Sequence, residues 1–186
     1  MNQACLDAVR LLLAVAPVIF RKPMFALKGG TAINLFVQDM PRLSVDLDLV
    51  YTDHQAERDA ALSAISSGLL TLQAELNELG FLCEMGSMSE GSEVKLFVQR
   101  DRTRIKIEVN HVFRGTVLPV QHRPLALEAQ DIFFTDLEIP VLHQDELYGS
   151  KLVAAMDRQH PRDLFDVLKL YAHSGLTPGI VECFMC

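Results

Sequence analysis

Along residues 43–51, Leu43, Val45, Leu47 and Leu49 alternate with Ser44, Asp46 and Asp48 before the run closes on Val50 and Tyr51. Period two over this length predicts a strand with one apolar and one polar face, because successive side chains point to opposite sides. "RIKIEVNHVF" (104–113) repeats the pattern, with Ile105, Ile107 and Val109 set against Lys106, Glu108 and Asn110. "EVKLFVQRD" (93–101) precedes it across a tight turn near Asp101 to Thr103, which predicts an antiparallel pair. "MFALKGG" (24–30) and "FLCEMG" (81–86) read as short strands, and "TVLPV" and "IPVL" as extended pieces.

Helical spacing occupies most of the rest. It predicts a first helix over about residues 3–20, a second beginning directly after Gly30, and a third from His54 to about Leu79, stopped by Gly80. Two more follow from about Gln144 to Arg158 and from Pro161 to Ser174, where proline suits the first turn. In the former, Leu147, Ser150, Lys151, Ala154 and Arg158 fall near one side. In the latter, Asp163 and Asp166 share a face, while Leu164, Val167, Leu168 and Tyr171 read as the core stripe. Arg162 and Asp166 read as a surface ion pair. The order of elements predicts an α+β domain with a small mixed β-sheet flanked by helices. Residues 1–140 form its expected core, and 141–186 a C-terminal helical part packed on it.

Composition adds limits. With 186 residues, 49% of them hydrophobic and 22% charged, the chain suits one globular domain with a full core. "LLLAVAPVIF" near the start lacks the cationic flank of a signal peptide, is interrupted by Pro17 and is too short to span a bilayer. It reads as a buried first helix, with no membrane partner. Cys5, Cys83, Cys183 and Cys186 read as free thiols in a reducing cytoplasm, since the terminal C-x-x-C has no second pair to complete a zinc site.

The net charge of −7 argues against a general nucleic-acid coat, yet it is unevenly spread. Between Lys95 and Arg123 stand Lys95, Arg100, Arg102, Arg104, Lys106, Arg114 and Arg123 against only Asp101 and Glu108, a local +5 in a chain otherwise −12. Such a stretch suits a phosphate-bearing partner held in one place.

The candidate chemistry gathers around Asp46 and Asp48, which repel each other on one strand face unless a divalent cation compensates them. Glu108 becomes a third acid on that face if its strand lies alongside, and three crowded acids need a metal still more. "LKGGTAINL" puts Gly29 and Gly30 between a strand and a helix, where backbone can approach a ligand and the helix start favours phosphate. Thr31 reads as a helix cap or a phosphate donor.

"LKGGTAINL", "PRLSVDLDLVY", "IKIEVN" and "KLVAAMDRQHPRDLFDVL", in that order, resemble the AbiEii/AbiGii toxin family within the polymerase-beta-type nucleotidyltransferase superfamily. The likeness runs from about Phe25 to Tyr171. It implies a nucleotidyltransferase fold and a toxin of a toxin–antitoxin or phage-defence system, with some relatives adding nucleotides to tRNA. Carried over by motif, the catalytic and metal-binding acids are Asp46, Asp48 and Glu108. The nucleotide-binding residues are Lys28, Gly29, Gly30, Thr31, Ser44, Lys106, Lys151 and Asp163, with Arg42 matching the family's arginine.

The activity implied is Mg²⁺-dependent transfer of a nucleoside monophosphate from an NTP to an acceptor hydroxyl on tRNA or other RNA, with Mn²⁺ as an alternative metal. The resemblance leaves room for a cognate antitoxin. Two departures stand out: many relatives continue into a longer helical C-terminal region, and the residue after Gly-Gly is threonine. Three rival readings remain: a small-molecule nucleotidyltransferase, a catalytically inactive nucleotide-binding module, and a purely structural domain with no use for clustered acids.

Overall fold

The structure, a computed structural model, describes residues 2–86 and 94–186, and within these no side chains for 111–114. Glu93, at the expected start of one strand, and the Arg114 side chain therefore lie outside the described residues.

The chain begins with α1 (Gln3–Ile19), capped by the Asn2 side chain, which accepts from the Ala4 N–H. Its buried face includes Val9, Leu12, Val15 and Ala16, and the helix runs through Pro17 rather than breaking there. Strand β1 (Phe25–Lys28) leads directly into α2 (Gly29–Ala32), which widens into a single π turn over Ile33–Val37. The helix thus starts at Gly29, two residues earlier than its sequence spacing predicts. Strand β2 (Asp46–Tyr51) follows, shorter at its front than the alternating run, since residues 43–45 are irregular.

Next come α3 (Arg58–Glu78), β3 (Leu82–Met85), β4 (Val94–Arg100) and β5 (Thr103–Arg114). The expected tight turn joins β4 to β5, with Asp101 in the left-handed region at φ 55°. The "TVLPV" stretch carries no strand. Instead β6 (Gln121–Pro124) and α4 (Leu127–Phe133) appear where no strong periodicity announces them. Strand β7 (Glu138–Val141) matches "IPVL", and α5 (Gln144–Arg158) and α6 (Pro161–Ser174) fall as expected. A final helix, α7 (Pro178–Met185), docks on α5, where a side chain at Gly149 would meet the Cys183 backbone at 2.8 Å. All four cysteines are free.

The strands form one seven-stranded mixed sheet in the order β3-β4-β5-β2-β1-β7-β6. β2 runs parallel to β5 and β1 parallel to β7, and the other neighbours are antiparallel. One face carries Leu47, Leu49, Leu96, Val98, Ile107 and Val109, each fully buried, and packs against α1 and α3. Each such side chain contributes about 1.5–3 kcal/mol by leaving water. The opposite face holds the acids; α2 packs on it at β1 and β2, and α5 packs on α2. Among the described residues no helix is long and apolar enough to cross a membrane.

Helix α6 turns a different face inward from the one its apolar spacing predicts. Leu164, Leu168 and Tyr171 are more than half exposed, whereas Asp163 and Asp166 are buried with Leu170. The reason is electrostatic. Lys151 is itself buried, and a buried cation left without a carboxylate costs more than exposing leucines.

Candidate active site

The site begins with strand register. In the parallel β2–β5 pair Asp46 stands opposite Lys106 and Asp48 opposite Glu108, while antiparallel β1 sets Lys28 against Asp48. Alternation places all five side chains on the same side of the sheet. Burial and the nearby Asp46 and Glu108 charges push the Asp48 carboxyl up to about 6, with Lys28 and Lys106 only partly compensating. Glu108 behaves differently. Burial would raise it, but hydrogen bonds from Lys106 and Lys95 hold it below the usual carboxylate range. Its oxygens lie 2.9 Å from Lys106 Nζ and 3.1 Å from Lys95 Nζ. Glu108 therefore turns toward these lysines, and among the described residues no three His, Cys, Asp or Glu side chains are grouped around one metal position.

The Gly-Gly pair is set by the side chains around it, Asp48 at Gly29 and Arg42 with Ser44 at Gly30. Gly29 has φ 76°, and a Cβ there would lie 2.3 Å from Asp48 Oδ2. A Cβ on Gly30 would come within 2.7 Å of Arg42 Nη2 and 3.2 Å of Ser44 Oγ. Only bare backbone lets this turn lie against both groups at once. Thr31 is fully buried, and its hydroxyl bonds inward to the Asp46 carbonyl oxygen, with Ser44 Oγ 3.0 Å away. Its side chain thus braces β2 against α2 rather than facing a phosphate.

The C-terminal motif arrives from α5 and α6. Lys151 Nζ lies 2.7 Å from Asp163 Oδ1 and 2.8 Å from Asp166 Oδ2. Asp163 also pairs with Arg158 at 3.2 Å, and Asp166 accepts from Arg42 Nε at 2.7 Å and from Arg42 Nη2. Asp166 is therefore no surface partner of Arg162. Burial would raise its carboxyl, but the bonds from Arg42 and Lys151 hold it low. Asn34 joins the same network, donating to the Gly30 carbonyl at 2.8 Å and to Asp166 at 3.3 Å, while its own buried Oδ1 meets no donor among the described residues. The chain Lys151–Asp166–Asn34–Gly30 ties α6 to the glycine turn. Of these links the sequence pointed to Lys151 and the glycines. Asp166 and Asn34 were missed, and the repeated acid of R-D-x-x-D was the available signal for Asp166.

Two clefts flank Asp48 and share Gly30, Lys151 and Arg158 in their walls. One, of about 260 Å³, is bordered by Arg42, Ser44, Asp46, His160 and Arg162. The other, of about 340 Å³, lies between Lys28, Glu108 and Asn110 on the sheet and the Leu147, Ser150 and Ala154 side of α5.

The basic stretch is divided by its strands. Lys95, Arg104 and Lys106 lie on the acid face, where the Arg104 guanidinium sits 4.1 Å above the Phe97 ring and pairs with Glu84 at 3.2 Å. Arg100 points to the other side, over Phe81, and lines with Arg102, Asp7 and Arg10 a separate cavity of about 480 Å³ beside α1.

Residues 10–185 match the family described as nucleotidyl transferase AbiEii toxin, type IV toxin–antitoxin system. Among solved structures, the fold is similar to that of MenT4, a nucleotidyltransferase toxin from Mycobacterium tuberculosis H37Rv. The TM-score is 0.66 at 20% sequence identity, over 98% of this chain and 65% of that one. This chain thus spans about two thirds of the length of that relative. Among curated proteins none matches. With the match running over nearly its whole length, the chain belongs to the AbiEii family of nucleotidyltransferase toxins of type IV toxin–antitoxin systems.

Proposed function

We propose that this protein transfers a nucleoside monophosphate from an NTP to a hydroxyl of an RNA acceptor, releasing pyrophosphate, as the toxin partner of a cognate antitoxin. The observation that carries this reading is the β2–β5 register, which sets Asp46, Asp48 and Glu108 on one face beneath a glycine turn. Burial first, and then the charges of Asp46 and Glu108, lift Asp48 to about 6; a divalent cation would relieve that repulsion, and carboxylate oxygens are the donors Mg²⁺ or Mn²⁺ takes. The residues present therefore fit such an ion, with Asp46 and Asp48 to hold it and Glu108 able to swing toward it from its lysines. When bound, the metal supplies charge neutralisation at the reacting phosphate oxygens.

The remaining work falls to the chain itself. The acceptor oxygen forms a bond to the α-phosphorus as the bond to the β-phosphate oxygen breaks, so the protein's main contributions are alignment and fixed charge. Arg158 and Arg162 border the cleft as exposed cations for the triphosphate. Lys151 and Arg42 add positive potential from below, held in place by Asp163 and Asp166. Glu108, kept ionised by Lys106 and Lys95, either completes the donor set or accepts the hydroxyl proton. An RNA acceptor is favoured by the sheet face beyond Glu108, where Lys95, Lys106 and Arg104 stand together as a cationic track.

Incubating the protein with each labelled NTP, Mg²⁺ and total RNA tests the reading. Label should enter RNA, and Asp46→Asn or Asp48→Asn should abolish it. Label found only on small molecules would transfer the activity to that acceptor class, and unchanged labelling by the Asp48→Asn variant would remove these acids from the chemistry.

A further inference from the structure

Helix α6 turns most of its apolar residues to solvent. Leu164, Leu168 and Tyr171, spaced i, i+4 and i+7, form one stripe, each more than half exposed. Arg162 and Lys169, seven residues apart, share an exposed edge of the same helix, while its two carboxylates, Asp163 and Asp166, are buried. The solvent side of α6 is therefore apolar and cationic, with no acid on it. Single apolar residues are common on any surface, but a grouped stripe marks a contact.

A second exposed face carries the opposite charge. Between Leu125 and Leu142 stand Glu128, Asp131, Asp136 and Glu138, and no lysine, arginine or histidine. All four acids are exposed, and among the described residues none enters an ion pair. Leu127 and Asp131 lie one turn apart on α4, with Leu127 73% exposed. Phe134, at the C-cap of that helix, is 93% exposed. Its backbone holds φ 51°, a left-handed conformation uncommon for so large a side chain. An aromatic ring carried into water on a strained cap gains only when another surface covers it.

We infer that α4 of one copy of this chain docks on α6 of another. Phe134 and Leu127 meet the stripe of Leu164, Leu168 and Tyr171, and the α4 carboxylates face Lys169 and Arg162. Charge complementarity selects this occupant. An α6–α6 pair leaves the α4 face bare, and an α4–α4 pair sets acids against acids. RNA and anionic lipid are repelled by α4 for the same reason. Within one chain α6 packs on α5, which leaves its outer stripe for a partner. The contact joins two different faces. It closes on a dimer where it is made twice about a two-fold axis, and otherwise runs into a ring or a chain. The inference stands apart from the transfer reaction proposed above.

Sedimentation velocity on the full chain, over a range of concentrations, tests the contact. The parent's sedimentation coefficient should rise with concentration. Phe134→Ser removes the α4 side of the contact and Leu168→Glu the α6 side, both at exposed positions that put no demand on the core. Each variant alone should lose association and remain monomeric, with thermal melts confirming that both are folded. Their equimolar mixture should recover a dimer and nothing larger, because one variant keeps a working α6 and the other a working α4. Leu127→Ser and Tyr171→Ser provide a second such pair. A parent that stays monomeric at every concentration would leave these faces to a different partner and overturn the inference. So would a Phe134→Ser variant that associates as the parent does, which would set α6 against α6. A mixture no larger than its two components would also overturn it, since the two faces would then not meet.

Discussion

Asp48 meets three unfavourable conditions at once: little water, Asp46 two residues away on its own strand face, and Glu108 across the β2–β5 pair. Its carboxyl titrates near 6 in the fold, against 3.8 for the ordinary group, so the native state binds the proton more tightly than the unfolded chain. Stability attributable to this residue therefore falls as pH rises from about 4 through 6, and the full penalty is present at pH 8. The shift sets an upper bound of about 3 kcal/mol, reduced because Asp48 borders both clefts and water screens it. Asp48→Asn removes the charge at constant shape. Thermal melts should show the variant more stable than the parent at pH 8, by roughly 2–4 °C for each kcal/mol recovered, with the gap closing toward pH 4. Mg²⁺ should raise the parent's Tm at pH 8 and leave the variant's nearly unmoved. A variant less stable at pH 8 would mean that Lys28 and Lys106 already neutralise the carboxylate.

At the scale of elements, α6 is held by its acids. Removing one partner of a buried ion pair typically costs about 3–5 kcal/mol, because a charge is left stranded. Asp166→Ala strands Arg42 and leaves Lys151 with Asp163 alone, and should reach that range in urea denaturation. Leu164→Ala and Leu168→Ala, at exposed positions, should stay within about 0.5 kcal/mol. The opposite ranking would restore the leucines as core.

This helix also marks the limit of what the sequence reveals. Its spacing identifies the residues that share a face, but not which face turns inward when the buried one is built from paired charges. The alternating strands were legible because apolar and charged residues contrast at every step of "VDLDL" and "IKIEV". Strand β6, "QHRP", has no such contrast and exists by pairing with β7. Helix α7 is short, and its place depends on the close approach at Gly149. The Asp46–Asp48 pair and the glycine turn were readable as local motifs. Asn34 was not, and the R-D-x-x-D spacing marks Asp166 without its partner, since their meeting joins residues 132 positions apart.

Over the whole molecule, the sheet decides what the basic stretch can do. Counted along the chain, Arg100, Arg102 and Arg104 form one cluster close to Glu108. In the fold only Arg104 shares the acid face, together with Lys95 and Lys106, while Arg100 and Arg102 border the cavity beside α1. If acceptor phosphates follow the acid face, the two groups should separate cleanly. Lys95→Gln with Arg104→Gln should weaken single-stranded RNA binding and flatten its salt dependence, each lost phosphate contact lowering the slope of log K against log salt by about 0.7. Arg100→Gln with Arg102→Gln removes the same formal charge at a similar place in the sequence, so it controls for the general field of the protein. It should leave the slope nearly unchanged. NTP affinity should move little in either variant if the triphosphate meets Arg158 and Arg162, as proposed, and not this face. Equal losses from both pairs would mean that RNA responds to net charge rather than to this face, and a larger loss from Arg100 and Arg102 would move the acceptor path to the α1 side of the sheet.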